Sequence, residues 1–249
     1  VYRNGTAPYT VQNAEGVNPG PRTLQEALKT SPNTGFVKLQ EQVGLNNVVD
    51  MSIRLGMRRS MLNVDEWGGS VSDGEPNQAE VVKNNNRGAF TLGYTPTSVL
   101  ELSNTSATIL SGGTWCPPSP IESVSDRHGN PIPIEEKGCE QAVPQRVADQ
   151  LAQGMSQDNA PGGTAHQAAK DAGWNRPMIG KTGTTQQHQS AAFLAGTPQM
   201  AGAVLTYSDG DNPQEICDSG GDAPPFLCGD GNIYGGKVPA RTWFDAMKV

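Results

Sequence analysis

The sequence predicts an α/β protein of the segregated α+β kind, an antiparallel sheet packed by helices and joined to an all-helical subdomain. Three observations carry this. Helical periods with clear stop signals recur along the chain up to about residue 176. Three short strand candidates then stand in a row, and an apolar-faced helix closes the chain. At 249 residues the expectation is one domain, about 23–176 mainly helical and about 177–249 sheet plus C-terminal helix.

Residues 1–22 read as loop, with Gly5, Pro8, Gly16, Pro19, Gly20 and Pro21 and no period. Thr23-Leu24-Gln25-Glu26 is a capping box that starts a short helix. Pro32 biases Ser31 away from helical backbone, so Ser31-Pro32-Asn33 forms a turn. A second helix is expected at about 34–43, stopped by Gly44, and a third at about 47–55, ending at Gly56. From Met57 to Gly93 the chain is rich in Asn, Gly and Asp and predicts long loops with short elements. Thr95-Pro96 supplies an N-cap and a first-turn proline for a central helix whose stripe is Val99, Leu102, Ser106, Ile109 and Leu110, stopped by Gly112-Gly113.

A small hairpin is expected around His128-Gly129-Asn130-Pro131, and a helix from Pro144 to Met155 with Val147, Ala148, Leu151 and Met155 inward. Thr164 is placed to cap a short alanine-rich helix. Met178 to Thr184, Ala191 to Ala195 and Met200 to Tyr207, joined by short polar turns, form an antiparallel meander. Pro239 opens the last helix, whose Ala240, Trp243, Phe244 and Met247 cover that sheet.

Composition excludes several classes. A net charge of −7 argues against nucleic acid as a partner, which would need a basic stripe. No apolar run approaches the roughly 20 residues of a membrane span, so this piece is expected to be soluble. Cys116, Cys139, Cys217 and Cys228 include no Cys-x-x-Cys, the three histidines are scattered, and no metal or cofactor is expected. Three disulfide pairings are possible, or four free thiols; the sequential pairing Cys116–Cys139 and Cys217–Cys228 closes short loops and is preferred. If formed, the bridges place the protein outside the cytoplasm.

Ile179-Gly180-Lys181-Thr182-Gly183-Thr184-Thr185 carries the chemistry. Glycine in a strand marks a close approach by another backbone or a ligand, and here two glycines bracket a lysine. A cation and threonine hydroxyls beside bare backbone suit an anionic, peptide-like ligand such as a carboxylate. A phosphate loop is excluded, since Asn175 stands where its first glycine must be. An exposed edge strand blunted by a lysine would read the same in isolation.

With Lys181-Thr182-Gly183 on a strand and Ser31-Pro32-Asn33 on a turn, the sequence resembles the penicillin-binding protein transpeptidases, which build one cleft from Ser-x-x-Lys, Ser-x-Asn and Lys-Thr-Gly. The wider pattern is similar to bifunctional class A members. It covers Thr23 to Gly44, Leu92-Gly93 to Gly113, Gly163-Thr164-Ala165, Gly180 to Gly196, and Gly235-Gly236 with Pro239-Ala240-x-x-Trp243. The resemblance implies a β-lactamase/transpeptidase-like fold, incomplete at its N-terminus. None of the sixteen serines has a lysine three residues on, so the nucleophile motif is expected in an N-terminal companion fragment of the same protein. Ser190-Ala191-Ala192-Phe193 also stands where the family usually has an Asp and an aromatic residue.

What the resemblance implies is D,D-transpeptidation of peptidoglycan stem peptides ending in D-alanyl-D-alanine, inhibited by β-lactams, on the extracytoplasmic face of a bacterial membrane to which the full-length protein is anchored. Lys181 supplies positive potential, Ser31 shuttles a proton to the leaving amine, and Asn33 binds the substrate amide. Thr182 and Thr184 offer hydroxyls to the terminal carboxylate, Thr184 N–H donates to the oxyanion, Gly183 leaves room for substrate backbone, and Thr185 extends the binding strand. His188 reads as a solvated turn residue at the rim. A D,D-carboxypeptidase or β-lactamase would use the same motifs, and a catalytically silent peptidoglycan-binding or scaffolding domain would keep the strand without the nucleophile.

Overall fold

The computed structural model describes residues 2–4, 7–14, 16–17, 20–209, 213–217, 225–229 and 231–248. A hairpin of β1 (Tyr2–Asn4) and β2 (Ala7–Tyr9) precedes α1 (Leu24–Thr30), α2 (Asn33–Val43) and α3 (Leu45–Leu55). Next come α4 (Arg58–Leu62), α5 (Gln78–Asn84), a 3-10 helix (Gly88–Leu92) and α6 (Val99–Leu110). Strands β3 (Thr114–Trp115) and β6 (Glu140–Gln141) pair around the small hairpin of β4 (Val124–Ser125) and β5 (Pro131–Ile132). The chain then runs through α7 (Gln145–Met155), α8 (His166–Asp171), β7 (Ile179–Thr184), a 3-10 turn (Gln186–His188), β8 (Ser190–Gly196), β9 (Ala201–Tyr207), α9 (Pro225–Cys228) and α10 (Val238–Ala246).

The expected meander is an antiparallel three-stranded sheet in the order β7-β8-β9. One face carries α8 and α10, where Phe193, Trp243 and Phe244 are buried among small alanines. Ring centroids of Phe193 and Trp243 lie 5.7 Å apart, edge to face, an arrangement aromatic quadrupoles favour. The opposite face packs on α6 and α7 through Ile109, Met155, Ile179 and Leu194, and Leu28 of α1 joins that cluster. A separate core of Leu45, Val49, Met61, Ala79, Val82 and Phe90 holds α3, α4, α5 and the first 3-10 helix together. Both bridges are sequential, Cys116–Cys139 and Cys217–Cys228.

Several expectations are corrected. Tyr2–Asn4 and Ala7–Tyr9 pair as antiparallel strands where loop was expected, because Tyr2 buries its ring against Gly88, where a β-carbon would lie 2.0 Å from it, and donates to Asn86 Oδ1 at 2.8 Å. Central helix α6 starts at Val99 after Ser98, not at Thr95-Pro96. Its buried face includes Glu101, whose carboxylate accepts from the Arg59 and Ser60 N–H groups in the first turn of α4, while Val99 is exposed. On α7, Val147 is exposed and Ala148 and Met155 face inward. The N-cap of α8 is Ala165, which frees Thr164 for the contacts described next.

Candidate active site

Strand alternation places Lys181 and Thr182 on opposite faces. Lys181 sits across from Leu194, and Thr182 across from Phe193. The Leu194 face is the one covered by α7, against which α1 packs. α1 is capped by Thr23, whose hydroxyl accepts from Glu26 N–H, and ends at Ser31 in left-handed backbone with φ 53°. The Ser31 hydroxyl thereby meets Lys181 across 150 residues of sequence, with Lys181 Nζ donating to Ser31 Oγ at 2.6 Å. The same ammonium donates to the Thr182 carbonyl at 2.9 Å.

The ammonium end of Lys181 lies in the interior, although the residue as a whole keeps some exposed surface. Burial holds it below the ordinary lysine range, and the Asp158 carboxylate works against that shift. Asp158 is fully buried in the loop after α7; burial raises its carboxyl, while Lys181 and then the hydrogen bonds to Thr164 pull it back down.

On the other face, Thr182 Oγ1 lies 2.6 Å from Thr164 Oγ1, and Thr164 donates to Asp158 Oδ1. A hydroxyl has one proton. With Asp158 ionised, Thr164 spends its proton on Asp158, so Thr182 donates to Thr164 and presents oxygen lone pairs to the cleft. Thr184 Oγ1 accepts from Gly235 N–H at 3.1 Å and keeps its proton to donate. Thr185 Oγ1 donates to the Ser190 carbonyl at 3.1 Å and accepts from Ser190 N–H at 2.8 Å, closing the β7–β8 turn.

The two glycines differ. A β-carbon on Gly183 would meet only Ala192 Cβ, at 4.0 Å, so open space stands over the strand there. On Gly180 it would lie 3.1 Å from the Phe193 ring, so that glycine admits a core side chain and not a ligand. Asn33 begins α2 and donates to the Gln12 carbonyl at 2.9 Å; it shares the turn with Ser31, but it is the Ser31 side chain that bonds Lys181. His188 packs its ring edgewise on Tyr234, 4.5 Å between centroids, beyond the end of β7.

Asp158, Thr164 and Gly235 were not singled out from sequence as site residues. Asp158 and Thr164 lie in a Gly/Pro-rich turn where polar residues are ordinary. Gly235 is required where the loop before α10 crosses β7, since its β-carbon would lie 2.6 Å from the Gly183 carbonyl oxygen. Among the described residues, no cluster of His, Cys, Asp and Glu could hold a metal.

Residues 2–214 match the family model of the penicillin-binding protein transpeptidase domain. Penicillin-binding protein 1A of Mycobacterium tuberculosis is 25% identical over 261 residues, covering 99% of this chain and 29% of that protein. The protein of the same description from Neisseria gonorrhoeae is 26% identical over 251 residues, covering 98% of this chain and 26% of its own length. The chain therefore spans between a quarter and a third of these relatives. The solved structure of PonA1 from Mycobacterium tuberculosis in complex with penicillin V superposes with a TM-score of 0.71 at 24% identity, covering 95% of this chain and 58% of that one. Penicillin-binding protein 1A from Haemophilus influenzae gives a TM-score of 0.70 at 16% identity, covering 100% of this chain and 37% of that one.

Proposed function

The chain belongs to the penicillin-binding protein transpeptidase domain family, and we propose that it forms the C-terminal portion of a peptidoglycan D,D-transpeptidase whose nucleophilic serine lies in a Ser-x-x-Lys segment outside these 249 residues. The observation that carries the reading is the Lys181–Ser31 hydrogen bond, which joins the Lys-Thr-Gly strand to the Ser-x-Asn turn.

The reaction transfers an acyl group. The external serine loses its proton and attacks the carbonyl of the penultimate D-alanine; the amide breaks, and the terminal D-alanine leaves as an amine once it is protonated. An amine of a second stem peptide then attacks the acyl-serine: the new amide forms, the ester bond to the serine breaks, and the proton lost by the amine returns to the serine oxygen. Ser31 conducts the proton to the leaving nitrogen, a role open to a hydroxyl only beside cations, and Lys181 is that cation. Lys181 also supplies positive potential for the terminal carboxylate, and Thr184 donates its free hydroxyl proton to it. The Thr184 N–H is one oxyanion donor, a contact worth roughly 10²–10³ in rate. The open space over Gly183 admits substrate backbone, Thr182 and Thr185 hold the strand, and Asn33 binds the substrate amide after releasing Gln12. Acylation by β-lactams follows from the same chemistry. The reading places the site at the extracytoplasmic face of a bacterial membrane that anchors the whole protein.

The test supplies the full-length protein with a stem pentapeptide ending in D-alanyl-D-alanine and measures released D-alanine and cross-linked product. Release with cross-linking is expected. Absence of both, with a Ser-x-x-Lys segment present, would overturn the reading. The lack of Ser-x-x-Lys in this chain favours one second reading, a domain that binds peptidoglycan without catalysis, which predicts binding of the pentapeptide and no release.

A further inference from the structure

Asp158 is joined through the Thr164 hydroxyl to Thr182, the neighbour of Lys181, and the acyl-transfer scheme gives it no task. Its surroundings are built tightly. The loop between α7 and α8 folds back so that Ala165 N–H donates to the Asp158 carbonyl at 3.0 Å. A β-carbon on Gly163 would lie 2.1 Å from that carbonyl oxygen, and one on Gly236, before α10, 2.0 Å from the Thr164 carbonyl oxygen. Asp158 is 1% exposed. Its Oδ1 accepts from Thr164, and its Oδ2 is buried with no hydrogen-bond partner among the described residues. A buried carboxylate with one oxygen unpaired is costly unless a nearby charge compensates it.

We propose that Asp158 is the positioning residue of the Lys-Thr-Gly strand: its buried carboxylate is the counter-charge that keeps Lys181 cationic beside Ser31, and through Thr164 it fixes the Thr182 hydroxyl. The inference rests on the transpeptidase reading for its catalytic consequence, and structurally on the run of hydrogen bonds from Asp158 through Thr164 to Thr182, whose carbonyl accepts from Lys181. Lys181 donates to the neutral Ser31 hydroxyl and Thr182 carbonyl, the Asp158 charge acts on it from the loop after α7, and the Lys29 ammonium of α1 faces that same loop at Gly162. Without the Asp158 charge the two hydrogen-bond partners of Lys181 are both neutral and the cost of burial stands unopposed. Asp158 in turn feels Lys181 and the Thr164 hydrogen bonds. The pair sustains itself, each charge lowering the burial cost of the other.

The experiment uses the full-length protein and the variants Asp158→Asn, Asp158→Glu and Thr164→Val. Lys181 is titrated by NMR with isotope-labelled lysine, its resonance identified by loss in Lys181→Arg, and acylation by a fluorescent penicillin is followed against pH. Asp158→Asn preserves shape and an acceptor for Thr164, so it should move the Lys181 titration and the alkaline limb of acylation down by about one pH unit or more. Asp158→Glu should restore both toward the wild-type position. Thr164→Val keeps the charge and should slow acylation without moving the limb. A purely structural Asp158 would lower the rate evenly at all pH values and leave the Lys181 titration in place; that result overturns the inference. A shifted titration in a protein that penicillin never acylates would leave the electrostatic pairing standing and refute the transpeptidase reading instead.

Discussion

Under the proposed reading, Lys181 and Ser31 define the chemistry at the residue scale. Removing the Ser31 hydroxyl leaves the ammonium in place and breaks the proton route, so Ser31→Ala should lower acylation and D-alanine release by about 10²–10⁴-fold with the fold intact. Stopped-flow acylation together with a thermal melt checks both halves. The pH dependence follows from the sign of the Lys181 shift. Its folded value is depressed, so the ammonium is lost at a lower pH than the ~10.4 of an ordinary lysine, and activity should fall on the alkaline side before that value. The same depression contributes stability above the unfolded value and loses it as pH falls through the folded one.

Ser31, Asn33 and Lys181 were legible as candidates because their residue types repeat a motif, and the structure joins two of the three by a direct bond. Asp158 was not legible. An aspartate in Ser-Gln-Asp-Asn-Ala-Pro-Gly-Gly reads as turn chemistry, and only tertiary burial makes it unusual. Gly180 misled for a related reason: glycine in a strand signals a close approach, and sequence does not say whether by ligand or by the Phe193 ring.

Among the elements, α10 and the α1–α2 turn do the positioning. α10 backs the sheet with Trp243 and Phe244, both buried, so Trp243→Ala should cost about 3–5 kcal/mol in chemical unfolding. Acylation by the surviving folded fraction should be little changed, because Trp243 touches the face of the sheet opposite Lys181. The meander, the stop glycines and the final helix were legible because period and punctuation agreed. Starts were less so. Thr95-Pro96 and Thr164 are good caps by residue type, but Ser98 and Ala165 stand at the helix starts because tertiary contacts place the first turns there. Val147 and Val99 lie on the exposed side of stripes that sequence assigned inward, whereas Glu101 is buried because α4 offers it two backbone N–H donors.

For the whole molecule, the sheet has one unusual boundary. β9 pairs with β8 alone among the described residues, so its outer edge carries unpaired backbone groups. Under the proposed reading, strands from the companion segment cover that edge. The isolated 249-residue chain should therefore self-associate, and co-expression with the companion segment should give a monomeric complex; light scattering coupled to size exclusion distinguishes them. A stable monomer from this chain alone would refute the complementation. Under the proposed reading this chain supplies the lysine half of an acyl-transfer cleft. The most direct measurement of that role is mass-spectrometric mapping of a penicillin adduct on the full-length protein, with labelling rates for wild type and Lys181→Ala. An adduct is expected on the serine of Ser-x-x-Lys, with a rate at least about 10²-fold lower without Lys181; no adduct, or equal rates, would rule out that role for the strand.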